Sequence, residues 1–191
     1  MPSHRIALVT ANAARDLDED LAPLESALHE AGADVAIAAW DDASIEWSDF
    51  DLALLRSTWD YTQRLPEFLA WCERTATRTR LHNPLPVLRW NTDKHYLRDL
   101  DKAGVAIVPS AFVEPNENAQ TALTDFLSAH RTDEFVVKPA IGAGSRDAQR
   151  YHADDRDAAL AHVRRLLEGK RSVLLQPYLD RVDEHGETAL I

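Results

Sequence analysis

Only four lysines, Lys94, Lys102, Lys138 and Lys170, stand in a chain whose other basic side chains are arginines. Lys138 ends the apolar run Val136-Val137 and opens the stretch Lys138-Pro139-Ala140-Ile141-Gly142-Ala143-Gly144-Ser145. Gly142 and Gly144 lack Cβ, so the backbone N–H groups of such a loop can approach and cradle phosphate oxygens, with an ammonium at the strand end to offset their charge. The spacing matches neither familiar glycine-rich signature. G-x-x-x-x-G-K-[ST] places Lys after the glycines, and G-x-G-x-x-G needs a glycine where Asp147 stands. A tight surface loop beside a solvated lysine accounts for the same residues. Lys94 follows Asn91-Thr92-Asp93; its alternative is a surface pair with Asp93 or Asp99, which contributes little. Gln176-Pro177-Tyr178-Leu179 leaves an apolar run through proline, and its open backbone groups can meet a purine edge. A plain linker would look alike. Arg56 lies at the end of a third apolar run, where open parallel sheets bind ligands, and its guanidinium can hold a carboxylate by two bonds. A pair with Asp60 is the bland alternative.

The elements that must position these residues follow from apolar spacing. Arg5–Thr10, Asp34–Trp40 and Asp51–Arg56 are continuous apolar runs of strand length, the mark of a parallel sheet covered on both faces. Leu17, Leu21, Leu24, Leu28 and Ala31 recur at helical spacing up to Gly32, and Leu65, Phe68, Leu69, Cys72 and Ala76 form a second apolar helix face. Cys72 is thus expected in the core. A short strand covers Arg80–Asn83. Asn91, Thr92 and Asp93 are expected to cap a helix carrying Tyr96, Leu97 and Leu100 and ending at Gly104. A second unit then reads strand (Val105–Val113), helix (Ala119 to Leu127), strand (Phe135–Lys138), loop, helix (Leu160 to Leu167), strand (Ser172–Leu175). The fold class is α/β, with boundaries expected at 1–90, 91–175 and 176–191. Glu187–Ile191 resembles the opening of a further strand, so the sequence reads as cut short and its edge as prone to association.

Composition narrows the partners. A net charge of −11 disfavours nucleic acid and acidic membranes, whose phosphates are met by Lys and Arg. One cysteine excludes an internal disulfide and any multi-thiolate metal site. No run reaches the roughly 18 apolar residues of a membrane span, and Met1–Leu8 lacks signal-peptide sectors, so the cytoplasm is the expected location. The histidines show no metal-ligand spacing.

In order and spacing, Lys94, Lys138 with its loop, and Gln176–Leu179 resemble the ATP-grasp superfamily, in its glutathione-synthetase-like branch. Arg56-Ser57-Thr58-Trp59-Asp60-Tyr61, Asn83-Pro84 and Arg89-Trp90-Asn91-Thr92-Asp93-Lys94 are similar to a bacterial subgroup that includes the cycloserine-forming cyclo-ligase. The resemblance implies a parallel-sheet domain before the grasp, then the first, smaller α+β lobe. It implies that Lys94, Lys138, Gly142, Gly144 and Ser145 contact nucleotide phosphates, that Gln176, Tyr178 and Leu179 form the adenine hinge, and that Arg56 and Ser57 meet substrate. One of Asp180, Asp183, Glu184 and Glu187 would reach the ribose. ATP and Mg²⁺ are the implied cofactors, with the metal ligands expected in a second lobe that these residues do not contain. The implied reaction joins a small amino-acid-like carboxylate to an amine through an acyl phosphate, in an enzyme that is compatible with a homodimer. The rival expectation is a noncatalytic nucleotide-binding or interaction module.

Overall fold

Alternation of side chains along a strand decides how the first unit is layered. The computed structural model describes residues 4–186, in two compact units, Met1–Thr92 and Asp93–Ile191. In the first, β1 (Arg5–Thr10), β2 (Asp34–Ala39), β3 (Leu52–Ser57) and β4 (Arg80–His82) pair in parallel in the order β2-β1-β3-β4. Leu8 points to one face and packs with Leu21 of helix α1 (Leu21–Glu30). Its neighbours Ala7 and Val9 point to the other and join Phe68, Trp71 and Cys72 of helix α2 (Leu65–Ala76). Both faces are covered, which is why these strands are apolar throughout. Trp47 meets Trp71 edge-on with ring centroids 5.0 Å apart, and Trp40 meets Phe68 likewise at 5.4 Å.

The second unit holds an antiparallel sheet in the order β5-β8-β6-β7: β5 (Ala111–Val113), β6 (Glu134–Pro139), β7 (Gln149–His152) and β8 (Val173–Pro177). Phe135, Val137, Val173 and Leu175 pack against α5 (Ala119–His130) and α6 (Arg156–Glu168). Lys138, set opposite Leu174, and Gln176, set opposite Val136, therefore lie on the other face of the sheet.

Several local expectations are corrected. α1 begins at Leu21, and Leu17 is exposed before it. Asn91 ends a helix, α3 (Leu85–Asn91), instead of capping the next one. Thr92 turns its hydroxyl back onto the Leu88 carbonyl, leaving Asp93 to accept from the His95 N–H ahead of α4 (Tyr96–Lys102). Of Val105–Val113 only the last three residues are strand. β7 and a short closing helix, α7 (Arg181–His185), appear where none was expected. Glu187–Ile191, expected as strand, lie outside the described residues.

Candidate functional site

β6 delivers Lys138 to the face of its sheet opposite α5 and α6, and the chain then turns through Ala140–Ala148. Lys94, 44 positions earlier, is drawn to that same turn. Its backbone N–H donates to the Ala140 carbonyl at 2.9 Å, and its Nζ donates to the carbonyls of Gly142 (2.9 Å) and Ala140 (3.4 Å). Burial holds the Lys94 ammonium below its usual pKa, the like charge of Lys138 pushes it the same way, and Asp93 opposes both. Two ammonium groups that destabilise one another mark a place that an anion would stabilise.

Gly142 lies where no side chain fits: a Cβ there would sit 2.9 Å from Pro139 Cγ and 3.8 Å from Lys94 Nζ. The turn at Gly142 is therefore bare backbone beside the Lys94 ammonium, a cation suited to phosphate oxygens. Gly144 and Ser145, both exposed, form the tip with left-handed backbone at φ +60° and +55°. Asp147, with φ +58°, stops the excursion: its carboxylate accepts from Arg165 of α6 at 3.0 Å and from Arg171 at 2.6 Å. The Arg171 bond, with Arg165 adding to it, holds the Asp147 carboxyl below the ordinary range.

Gln176 and Pro177, within the stretch expected as a hinge, are not open linker. Both belong to β8, registered against Val136 and Phe135, so the backbone groups expected to be available are partly committed to the sheet. The Gln176 side chain is buried and donates to Ser110 Oγ at 2.7 Å. Tyr178 donates its backbone N–H to Glu134, its hydroxyl to Asp183 at 2.6 Å, and its ring lies under the Arg150 guanidinium at 3.6 Å. Leu179 is largely exposed. Arg150 also bridges Glu134 and Asp183, which places Asp183, one of the four acids considered for the ribose, in an ion pair.

In the first unit, Arg56 pairs with Asp18 (3.4 Å) and Asp20 (3.7 Å). Asp60, its expected bland partner, instead accepts from Trp40 Nε1 at 2.9 Å and from Arg64. Ser57 is wholly buried, its hydroxyl donating to Thr10 Oγ1 at 2.9 Å, so it ties β3 to β1 and presents nothing to a ligand in this arrangement. Among the described residues no group of three His, Cys, Asp or Glu side chains could hold a metal ion, and no helix is long and apolar enough to cross a membrane.

Sequence reading missed a hydrogen-bonded chain beside Lys94. His95 Nδ1 lies 2.6 Å from Asp93, His95 Nε2 lies 2.9 Å from Glu114, and Ser172 donates to Glu114 at 2.5 Å. The Ser172 bond, followed by His95, holds the Glu114 carboxyl below its usual range. Glu114 and Ser172 lie far from His95 in sequence and belong to no motif, so only pairing of the strands discloses the chain.

Known proteins resemble the chain over most of its length. Residues 6–83 match the family model described as the N-terminal domain of the D-cycloserine synthetase DcsG. The chain is 43% identical over 186 residues to the cycloserine biosynthesis protein DcsG of Streptomyces lavendulae, spanning 97% of this chain and 62% of that protein. It is 42% identical to the crystal structure of D-cycloserine synthetase DcsG, with a TM-score of 0.87 over 95% of this chain and 62% of the other. A RimK-domain ATP-grasp protein from Sphaerobacter thermophilus, 22% identical, superposes at a TM-score of 0.64 over 92% of this chain and 64% of its own, and so shares the fold. The chain thus spans less than two thirds of the length of these relatives, and over that span it is similar to the D-cycloserine synthetase DcsG and shares the fold of an ATP-grasp protein.

Proposed function

We propose that this chain supplies the substrate-facing first domain and the phosphate-binding lobe of an ATP-dependent carboxylate–amine ligase acting on a small amino-acid-like substrate. The observation that carries the reading is the convergence of Lys94, Lys138 and Gly142 on one turn, from segments more than forty residues apart. ATP, when bound, supplies the phosphoryl group that turns a carboxylate into an acyl phosphate open to attack by an amine. Lys94 and Lys138 offset the phosphate charge, which is electrostatic catalysis by preorganised cations. Lys94 Nζ donates to two carbonyls with three N–H groups, so it can also meet an anionic oxygen, a stronger partner for an ammonium. Gly144 and Ser145, exposed at the tip, are the part of the loop placed to close and exclude water. Arg56 is proposed to hold a substrate carboxylate in exchange for its present partners ahead of α1, Asp18 with its buried side chain and the exposed Asp20. Magnesium is proposed to take its carboxylate ligands from residues outside this span.

The test is calorimetry and thermal unfolding of the full-length protein with ATP and Mg²⁺, then phosphate release with a panel of amino acids. Binding at 100 times Kd should stabilise by about 2.7 kcal/mol. Absence of ATP-dependent stabilisation overturns the reading. Binding without phosphate release under any amino acid would favour the noncatalytic module.

A further inference from the structure

We infer that Glu114 is a positioning residue for the phosphate site, holding the segment that carries Lys94 against the end of the sheet through His95 and Ser172. The inference rests on the ligase reading for its consequence but on sheet register for its geometry. Val113 is paired with Val173, and Val173 with Pro139, so these residues form one rung across β5, β8 and β6. One residue further on, Glu114, Ser172 and Ala140 lie side by side. Ser172 Oγ donates to Glu114, and the Ala140 N–H donates to the Ser172 carbonyl at 2.8 Å. Lys94 docks on this rung through its own N–H and the Ala140 carbonyl.

The bonds of Lys94 itself all run to the Ala140–Gly142 turn, and His95 supplies a second point of attachment on β5. Its ring stacks on Phe112 at 4.1 Å, and its two nitrogens reach Asp93 on one side and Glu114 on the other. Arg98 of α4 also sits over Phe112, at 4.5 Å, and within 3.7 Å of Glu114. Glu114 is the common partner of all three, since it takes His95 and Arg98 on Oε1 and Ser172 on Oε2. Alternation along the strands puts Phe112, Glu114, Ser172 and Leu174 on the face that carries Lys138. The network therefore sets where Lys94 stands relative to Lys138, and so the spacing of the two cations that would grip a polyphosphate.

Two measurements on the full-length protein test this. First, Lys94 acetylation by acetic anhydride, read by mass spectrometry without nucleotide and normalised to Lys170, should rise several-fold in Glu114→Ala. In Glu114→Gln it should stay near wild type, because the amide still accepts from His95 and offers an N–H to the Ser172 hydroxyl. His95→Leu, which keeps apolar contact with Phe112 and removes both ring-nitrogen links, should reproduce Glu114→Ala from a variant that leaves the core intact. Unchanged Lys94 labelling in both disruptive variants overturns the inference, as does equal labelling in Glu114→Gln and Glu114→Ala. Second, Glu114→Ala should raise the Kd for ATP about tenfold and leave that for adenosine within twofold. Equal losses for the two ligands would show a merely structural role and overturn it. If the labelling result holds while the wild type fails to bind ATP, the ligase reading falls and the positioning role stands.

Discussion

A lysine that meets phosphate contributes through a charge-assisted hydrogen bond, and such bonds are worth about 1.5–3 kcal/mol. Lys138→Ala in the full-length protein should weaken ATP binding by about that amount, whereas Lys170→Ala, in the turn after α6, should change it little. Calorimetry of the two variants decides, and equal affinities would remove Lys138 from the site. Cys72 shows the opposite case, a reactive group silenced by its surroundings. It is buried in the α2 core face, and burial pushes its thiol up to about 12. The thiolate is the reactive form, so native protein at mildly alkaline pH should resist alkylation until denaturant is added. Ready modification of the native protein would show that α2 opens locally. Core placement of Cys72 was legible from helical spacing alone, because four apolar partners on one face leave it no other side to occupy. Burial of Ser57 was not, since a serine after Arg56 carries no signal of which way the strand turns it.

At the level of elements, the loop after β6 has one end docked on Lys94 and the other clamped by Asp147 between Arg165 and Arg171. Arg146 lies exposed between these anchors, whereas Arg150 is held in β7 by Glu134 and Asp183. Trypsin should therefore cut the native full-length protein at Arg146 in preference to Arg150. ATP with Mg²⁺ should slow that cut and Asp147→Ala should speed it; cleavage indifferent to both would refute a nucleotide-covering loop anchored at Asp147. The clamp has a pH signature as well. The folded Asp147 carboxyl titrates below its ordinary 3.8, so its contribution is complete above 3.8 and lost as pH falls through the lower folded value. The melting difference between wild type and Asp147→Asn should accordingly stay constant from neutral pH to about pH 5 and shrink below 3.8. β7 escaped the sequence reading because Gln149–His152 is polar with one buried side chain, Tyr151. α3 went unread between the short strand ending at Asn83 and the capping residues expected from Asn91, although proline at the opening of a helix, here Pro86, loses nothing by lacking an N–H.

For the molecule as a whole, each unit closes its own core: Phe68 is buried in the first and Phe135 in the second. Truncating a buried phenylalanine costs about 3–5 kcal/mol. Phe135→Ala should thus raise hydrogen exchange of the β6 and β8 amides while leaving β1 and β3 near wild type, and Phe68→Ala should do the reverse. Uniform loss of protection in both units from either variant would mean that the two cores unfold as one cooperative block.

Apolar runs and helical spacings determined β1, β2, β3, α2, α5, α6 and the core of β6 without any tertiary information, because each of these elements buries a face that its own residues specify. Order along the chain likewise singled out Lys94, Lys138 and the glycines between Pro139 and Ser145. The tertiary structure alone decided which residues share a place. Lys94 reaches Gly142, Asp147 reaches Arg165 and Arg171, and Glu114 reaches His95 and Ser172 only once β5, β8 and β6 align. Register also drew Gln176 and Pro177 into β8 when they looked like linker. The physical reason is that a strand specifies which of its faces is apolar, but the neighbour that completes a hydrogen-bond ladder, and the side chains thereby set opposite one another, lie many residues away and leave no local pattern.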